Sequence, residues 1–204
     1  MAPSYKLIYF PTRGWAEPIR FILSYGGVEF EDARIPHDKW PALKDQTPFG
    51  HLPVLEHNGK QAGQSIAIAR YAAKQVKLAG KDDWEDLEID AVVDTIKDSC
   101  LKLSGLRTET DEEKKKALRE NVLKEVLPYY LKRFDELCQK NNGYLAAGRL
   151  TWADLYFVSM SQALDIVAGF NILKDYPKLA ALKEKILEIP NIKKWVETRP
   201  KSEF

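Results

Sequence analysis

The sequence predicts two regions of different class, an α/β domain at residues 1–79 and an all-helical domain at residues 80–204. Short alternating runs of branched and aromatic residues, which are typical of strands, occur only before about residue 78. After Gly80 the apolar residues recur at helical spacing without a further strand pattern. The order predicted for the first region begins with a βαβ unit, which favours an α/β layout.

The first half of the α/β region supplies this βαβ unit. Tyr5–Phe10 is predicted to be a strand, because YKLIYF alternates and is rich in aromatic and branched residues. Trp15–Tyr25 is predicted to be a helix that ends where two glycines follow. Val28–Arg34 is a second candidate strand, and Asp38–Lys44 indicates a short helix or an irregular turn.

The second half is the stretch from Pro48 to Arg70. Asn58 and Gly59 predict a tight turn between two short strands, because both positions tolerate positive φ. A helix follows from Ser65 to about Val76. Its apolar residues are spaced for one face, at Ile66, Ala69 and Ala73. Since a helix N-terminus offers unpaired N–H groups, the stretch suits a small anion; the alternative is a plain surface hairpin that leads into a helix.

The second region is predicted to be a helical bundle. Apolar spacing defines its first helix, at Ile89, Val92, Val93, Ile96, Cys100 and Leu103. A helix from about Asp111 to Asn141 is predicted to be interrupted or bent near Pro128. The remaining helices are predicted at Thr151 to about Gly169, Tyr176 to Leu187 and Asn191 to Thr198. Thr151 with Asp154 three residues later predicts a capping box, which is a folding element rather than a reactive one.

The composition is that of an ordinary globular protein. Of its 204 residues, 45% are hydrophobic and 30% charged, and the net charge is +1. This balance gives no electrostatic reason to expect nucleic acid or an anionic membrane as a partner. We expect neither a membrane span nor a secretion signal. Cys100 and Cys138 lie at apolar helical positions without a CxxC pair, which favours core packing in a reducing cytoplasm.

Few residues indicate chemistry by motif alone. His37, His51 and His57 lack the paired spacing of metal ligands, so no metal site is predicted. The sequence contains no nucleophile elbow, phosphate loop or dinucleotide fingerprint. Tyr9 lies near the end of the first strand, where open α/β sheets bind their ligands. A lone strand tyrosine is also explained by packing.

Together, the motifs resemble those of the cytosolic glutathione transferases. The similar segments run from end to end: YKLIYF, RGWAEPIRFIL, Trp40 with Lys44, PFGHLPVLE, QSIAIARY and GYLAAGRLTWADLYF. In detail the sequence is most similar to the sigma class, which includes arthropod transferases, haematopoietic prostaglandin D synthase and S-crystallins. The resemblance implies a thioredoxin-like N-terminal domain, a helical-bundle C-terminal domain, glutathione as co-substrate and a homodimer.

The resemblance also implies that Tyr9 is catalytic, its hydroxyl donating a hydrogen bond to the glutathione sulfur. A free thiol has a pKa of about 8.5, so only a few per cent is thiolate at neutral pH. Lowering that pKa by about two units takes roughly 2.7 kcal/mol. A hydrogen bond to a charged group contributes about 1.5–3 kcal/mol, so one well-placed hydroxyl is of the right size.

Glutathione binding is assigned by the resemblance to Tyr9, Trp40, Lys44, Gly50, His51, Leu52, Pro53, Gln64 and Ser65, and to Asp98 from the other subunit of a dimer. Leu52 would pair through its backbone with the cysteinyl part, beside a cis peptide bond at Pro53. Gln64 and Ser65 would hold the γ-glutamyl end at a helix N-terminus.

Three members of this set have plain alternative explanations. Trp40 and Lys44 would meet the glycyl carboxylate, but packing and solvation explain them equally. Asp98 would reach glutathione in the other subunit. With Asp90 and Asp94 it also fits a solvated acidic helix face, since the three recur every fourth residue.

The electrophile pocket is expected near Phe10, Gly14, Trp15, Tyr156 and Phe204. The chain departs from the prostaglandin synthase pattern at three places. Trp15 stands where that enzyme has an arginine, Lys97 interrupts its acidic metal cluster, and Gly105-Leu106 lack its pocket tryptophan. These departures argue against a dedicated prostaglandin isomerase and against an interface metal.

The sequence therefore predicts a cytoplasmic glutathione S-transferase that conjugates hydrophobic electrophiles, a detoxification reaction. The alternatives that keep glutathione are a prostaglandin D isomerase and a lipid-hydroperoxide peroxidase. A non-catalytic, S-crystallin-like structural protein is the alternative of another class, and the retention of Tyr9, Gln64 and Ser65 argues against it. A glutaredoxin-like or dehydroascorbate reductase activity would require a cysteine between Pro11 and Glu17, where none occurs.

Overall fold

A computed structural model describes residues 4–202, apart from the side chains of residues 104, 107 and 108. Its strands are β1 (Tyr5–Tyr9), β2 (Phe30–Arg34), β3 (Val54–His57) and β4 (Lys60–Gly63). Its helices are α1 (Glu17–Tyr25), α2 (Trp40–Leu43), α3 (Ser65–Gln75), α4 (Asp83–Thr108), α5 (Glu112–Asn121), α6 (Leu127–Lys140), α7 (Trp152–Ala168), α8 (Pro177–Leu187) and α9 (Pro190–Thr198). The predicted order, α/β elements followed by helices, is confirmed.

Contacts divide the chain into two compact units. One consists of Met1–Ala79 with Ile186–Phe204, and the other of Gly80–Lys185. The last helix, α9, contacts α1, so it groups with the α/β elements. The two-domain division at residues 1–79 and 80–204 stays a prediction, and the grouping by contacts differs from it over the C-terminal residues.

The first unit is built on a four-stranded sheet of order β2-β1-β3-β4. β1 pairs in parallel with β2 and antiparallel with β3, and β3 forms an antiparallel hairpin with β4. Asn58 and Gly59 in the hairpin turn have φ values of 50° and 73°. The turn therefore has the positive-φ geometry that these two residue types predict.

Helix α3 buries one face within this unit, with contacts to α1, β3 and β4. Ala69 and Ala73 are buried as predicted, whereas Ile66 is only half-buried. Ile68 and Ala72 complete the stripe instead. Residues three and four apart share a helix face, and Ile66, seven residues before Ala73, lies at the margin of that stripe.

In the second unit α4 contacts α5, α6 and α7. The helical stretch predicted to be interrupted or bent near Pro128 contains a π-helical segment at Val122–Val126. Pro128 lies in the first turn of α6 and has no backbone N–H, so regular α-helical bonding cannot continue through it. Cys100 and Cys138 are buried free thiols, and burial raises the pKa of each to about 12.

Within residues 4–202, no helix combines the length and the apolar character that crossing a membrane requires.

The start of α7 has the predicted capping box. Asp154 is fully buried and accepts hydrogen bonds from the backbone N–H groups of Thr151 (2.7 Å) and Leu145 (2.8 Å). Burial raises the pKa of Asp154 to about 6, although these donors oppose the rise. One carboxylate therefore accepts hydrogen bonds both from the N-cap residue of α7 and from the loop that precedes it.

We expect Asp154→Ala to lower the free energy of unfolding by about 2–5 kcal/mol at neutral pH, because two buried N–H groups lose their acceptor. Asp82→Ala is the matched control. Asp82 caps α4 by accepting from the N–H groups of Trp84 and Glu85 at the surface, and its loss should cost about 0.5–2 kcal/mol. Urea unfolding measures both; equal losses would contradict the linking role of Asp154.

Candidate functional site

Three segments leave the sheet at one edge. Ile8 pairs with Val54, and Val54 pairs with Gly63, across β1, β3 and β4. The residues one step beyond these partners are Tyr9, Pro53 and Gln64. Because neighbouring strands lie about 4.8 Å apart, the register brings these three distant positions together.

The hydroxyl of Tyr9 is held by the loop that follows β1. The backbone N–H of Trp15 donates to the Tyr9 oxygen at 3.2 Å. Gly14 has φ of 41°, and a Cβ at this position would lie 2.6 Å from the same oxygen. The close approach therefore requires glycine. Because the oxygen accepts from Trp15, the hydroxyl proton is directed elsewhere.

Beside this loop lies a buried cluster of charges. The Glu17 carboxylate is 1% exposed and accepts from Arg20 (3.0 Å), Trp195 (2.9 Å) and Arg199 (2.6 Å). Burial by itself would raise the pKa of Glu17, but the charges of Arg20 and Arg199, with the hydrogen bonds from Trp195 and Arg199, outweigh it and lower the pKa. Arg20, fully buried, also donates to Asp32 at 2.9 Å.

The N-terminus of α3 begins with a residue in an unusual conformation. Gln64 has φ of 73° and ψ of 108°, and its carbonyl accepts from the N–H of Ile68 at 3.0 Å. Such geometry in a residue other than glycine costs on the order of 1–3 kcal/mol and clusters at functional sites. Ser65, 8% exposed, is the first residue of the helix. The first N–H groups of α3 have no acceptor within the helix, so they suit a carboxylate.

The segment before β3 supplies backbone groups at the same edge. The Leu52–Pro53 peptide bond is cis, as the resemblance implied. Among residues 4–202, the backbone of Leu52 forms no hydrogen bond. Leu52 is only half-buried, so an extended peptide is able to pair with it.

Aromatic rings connect Tyr9 to the region of α2. Phe10 stacks on His37 at 4.4 Å and meets the rings of Trp40 (5.8 Å) and Tyr9 (5.6 Å) edge-on. Phe10, predicted for the electrophile, thus packs against Trp40, predicted for glutathione. Trp40 and Leu52 also line a cavity of about 470 Å³ over the sheet. Tyr9 is not in its lining, so this cavity overlaps the predicted site only in part.

Two more predicted residues lie together in the loop after α2. The Lys44 methylene chain lies 3.5 Å from where a Cβ of Gly50 would stand, and Gly50 has φ of 64°. The Lys44 side chain is exposed. His51 lies 2.5 Å, through Nδ1, from the carbonyl oxygen of Phe49, so its ring is held by its own loop.

Two predicted site residues, Asp98 and Tyr156, belong to the second unit. Asp94 and Asp98 are exposed on α4 and Asp90 is half-buried, which is the pattern of a solvated face. Tyr156 is fully buried. Phe204 lies outside the described residues. In the part of the chain that the structure describes, no group of three His, Cys, Asp or Glu is placed to hold a metal.

Sequence reasoning missed His37 and the cluster around Glu17. A signal was present for part of the cluster, because Glu17 and Arg20 are three residues apart on an otherwise apolar helix. Their burial indicates an internal ion pair. No local signal was present for Arg199, which lies 182 positions from Glu17.

Comparisons with known proteins agree with this geometry. A family model described as the glutathione S-transferase N-terminal domain matches residues 5–74, and one for the C-terminal domain matches residues 97–199. The chain is 43% identical to a glutathione S-transferase of Anopheles gambiae, over 98% of this chain and 99% of that one. It is 36% identical to human hematopoietic prostaglandin D synthase, over 99% and 100%. A solved structure of prostaglandin synthase D of Nilaparvata lugens matches with a TM-score of 0.93 and 45% identity, covering 98% and 100%.

A small thioredoxin-like sheet domain followed by helices, with a cis proline and a helix N-terminus at one sheet edge, places the chain in the class of proteins with the glutathione transferase fold. The matches over nearly the whole chain identify the family itself. This protein belongs to the glutathione S-transferase family.

We expect Gly14→Ala to lower glutathione-conjugating activity about 10–100-fold, because the added Cβ displaces the Tyr9 hydroxyl. Gly59→Ala is the matched control. Gly59 also has positive φ, but a Cβ there meets nothing within 4 Å. Both changes strain the backbone by roughly 1–2 kcal/mol, whereas only Gly14→Ala disturbs Tyr9. Full activity in Gly14→Ala would show that the approach of the loop to Tyr9 is unimportant.

Proposed function

We propose that this protein conjugates the thiolate of glutathione to hydrophobic electrophiles and that Tyr9 stabilises the thiolate. The observation that carries the proposal is the Tyr9 hydroxyl, which accepts from Trp15 at the sheet edge that Pro53 and Gln64 share. A hydroxyl whose oxygen already accepts a hydrogen bond donates its proton more strongly, because hydrogen bonds in a chain polarise one another.

The rate advantage comes from thiolate population and from proximity. At neutral pH only a few per cent of a free thiol is ionised, so full ionisation gains a factor of roughly 10 to 50. A hydrogen bond of about 1.5–3 kcal/mol to the sulfur is sufficient for this shift. Holding the electrophile next to the sulfur supplies the rest.

Binding is proposed to follow the three strand ends. The backbone of Leu52 pairs with the cysteinyl part, and Gln64 with Ser65 holds the γ-glutamyl carboxylate at the start of α3. Trp40 and Lys44 meet the glycyl end, where the exposed ammonium of Lys44 is suited to a carboxylate. Gly50, His51 and Pro53 complete the proposed glutathione-binding residues.

The proposed electrophile side comprises Phe10, Gly14, Trp15, Tyr156 and Phe204. Phe10, which packs against Trp40, would adjoin both substrates. The buried Tyr156 would need a side-chain shift to contact an electrophile.

We further propose a cytoplasmic, sigma-class homodimer. Supporting this are relatives among insect transferases and hematopoietic prostaglandin D synthases, and two free, buried thiols that suit a reducing compartment. In the dimer, the exposed Asp98 would contribute to the glutathione site of the other subunit. Sedimentation at micromolar concentration tests the dimer, and a monomer would exclude this role for Asp98.

Prostaglandin isomerisation is the second candidate. It is favoured by the 45% identity to prostaglandin synthase D of Nilaparvata lugens. Trp15, Lys97 and the Gly105-Leu106 segment depart from the synthase pattern, so we rank it below conjugation. Product analysis with a prostaglandin endoperoxide and glutathione separates the two.

We expect Tyr9→Phe to raise the pKa of bound glutathione by about 1–2 units, because the thiolate loses its hydrogen bond. Conjugation of a chromogenic aryl halide near pH 6.5 should then fall about 10–100-fold and recover at high pH. Tyr5→Phe, four residues earlier in β1, controls for the loss of a strand hydroxyl. Equal activity of Tyr9→Phe and the unmodified protein would remove Tyr9 from the mechanism.

For Ser65→Ala we expect binding to weaken more than turnover. Loss of a hydrogen bond to a carboxylate should raise the dissociation constant of glutathione about 10–100-fold, with kcat at saturation changed less. Gln75→Ala, at the exposed end of the same helix, is the control. Calorimetric titration gives the constants, and unchanged affinity in Ser65→Ala would contradict the placement of the γ-glutamyl end.

A further inference from the structure

Charged groups in the interior of the first unit converge on Glu17. Its carboxylate is 1% exposed and is contacted from two elements, Arg20 of α1 and the Trp195 and Arg199 side chains at the end of α9. The charged groups around it are Arg13, Arg20, Asp32, Arg34 and Arg199. A buried carboxylate is tolerated only where its charge is matched and its oxygens are hydrogen-bonded, and both conditions are met here.

Arg20 carries this arrangement into the loop. The nitrogen that donates to Glu17, Nη1, also donates to the carbonyl oxygens of Thr12 (2.9 Å) and Arg13 (3.3 Å). The Arg13 carbonyl also accepts from the N–H of Glu17 at 3.0 Å. These bonds fix the chain immediately before Trp15, whose N–H holds the Tyr9 hydroxyl.

A continuous series of contacts thus connects α9 to the reactive end of β1. It passes from Arg199 and Trp195 to Glu17, from Glu17 to Arg20, and from Arg20 to the loop carbonyls that precede Trp15. The guanidinium of Arg20 also lies 6.0 Å from the centre of the Tyr9 ring. Each link is short, so a displacement of Glu17 is passed to the loop.

We propose that Glu17, anchored by Trp195 of α9 and by Arg199 immediately after that helix, is a positioning residue that holds the Trp15 N–H on the Tyr9 hydroxyl through Arg20. This inference rests on the proposed function of Tyr9. It assigns a role in the reaction to two side chains at the C-terminal end of α9.

The test compares Arg199→Met with Lys193→Met on the same helix. Lys193 pairs with Glu188 at 3.0 Å at the surface, so its loss removes a comparable charge without reaching Glu17. In Arg199→Met we expect the pKa of bound glutathione, followed by thiolate absorbance, to rise by about half to one unit. Conjugation near pH 6.5 should fall about 3–10-fold and recover at high pH, with little change in the KM for glutathione.

Two further variants separate positioning from folding. Trp195→Phe keeps the ring packing and removes one donor to Glu17, so it should give a smaller shift of the same sign. Arg199→Lys keeps the charge, so it should raise the pKa of bound glutathione less than Arg199→Met does. In a Tyr9→Phe background, Arg199→Met should produce no additional shift, because the path ends at that hydroxyl.

A lower melting temperature with an unchanged thiol pKa in both Arg199→Met and Trp195→Phe would make Glu17 a structural residue only and overturn the proposal. A full shift that persists in the Tyr9→Phe background would also overturn it. If Tyr9→Phe itself leaves the thiol pKa unchanged, the proposed function fails, which is a different result from failure at Arg199.

Discussion

The antiparallel pairing of β1 with β3 is the constraint on which the candidate site depends. Its register sets Ile8 against Val54, and the hairpin then sets Val54 against Gly63. A slip of one residue would turn Tyr9 to the opposite face of the sheet and separate it from its present neighbours. The relative positions of Tyr9, Pro53 and Gln64 are thus fixed by the backbone hydrogen bonds of the sheet.

The buried charges of Glu17 and Arg20 also fix the conformation of the loop before Trp15. Removing Glu17 and Arg20 from water is expensive, and the structure compensates with paired charges and with carbonyl acceptors in the loop before Trp15. An apolar core would bury the same volume, but it has no directional preference. Directed hydrogen bonds give the loop one conformation, which matters where an N–H must reach one oxygen.

Most of the fold could be predicted from the sequence, because periodicity and turn residues act locally. The hairpin at Asn58-Gly59 and the capping box at Thr151 are examples, since each depends on the preferences of two or three neighbouring residues. The π-helical segment before Pro128 was not predicted, because a proline indicates that regular α-helical bonding is interrupted but not which conformation replaces it. The site required resemblance: nothing local distinguishes Tyr9 from a packing tyrosine, and the contact of Arg199 with Glu17 spans 182 positions.

The long separation of Glu17 and Arg199 along the chain also affects when their contact forms during synthesis. Glu17 leaves the ribosome 182 residues before Arg199, and domains tend to fold as their chain emerges. Until α9 is made, Glu17 has only Arg20 of its two cationic partners, and the β1 loop lacks its outer support. A chain that stopped before α9 would therefore lack two of the three side chains that donate to the Glu17 carboxylate.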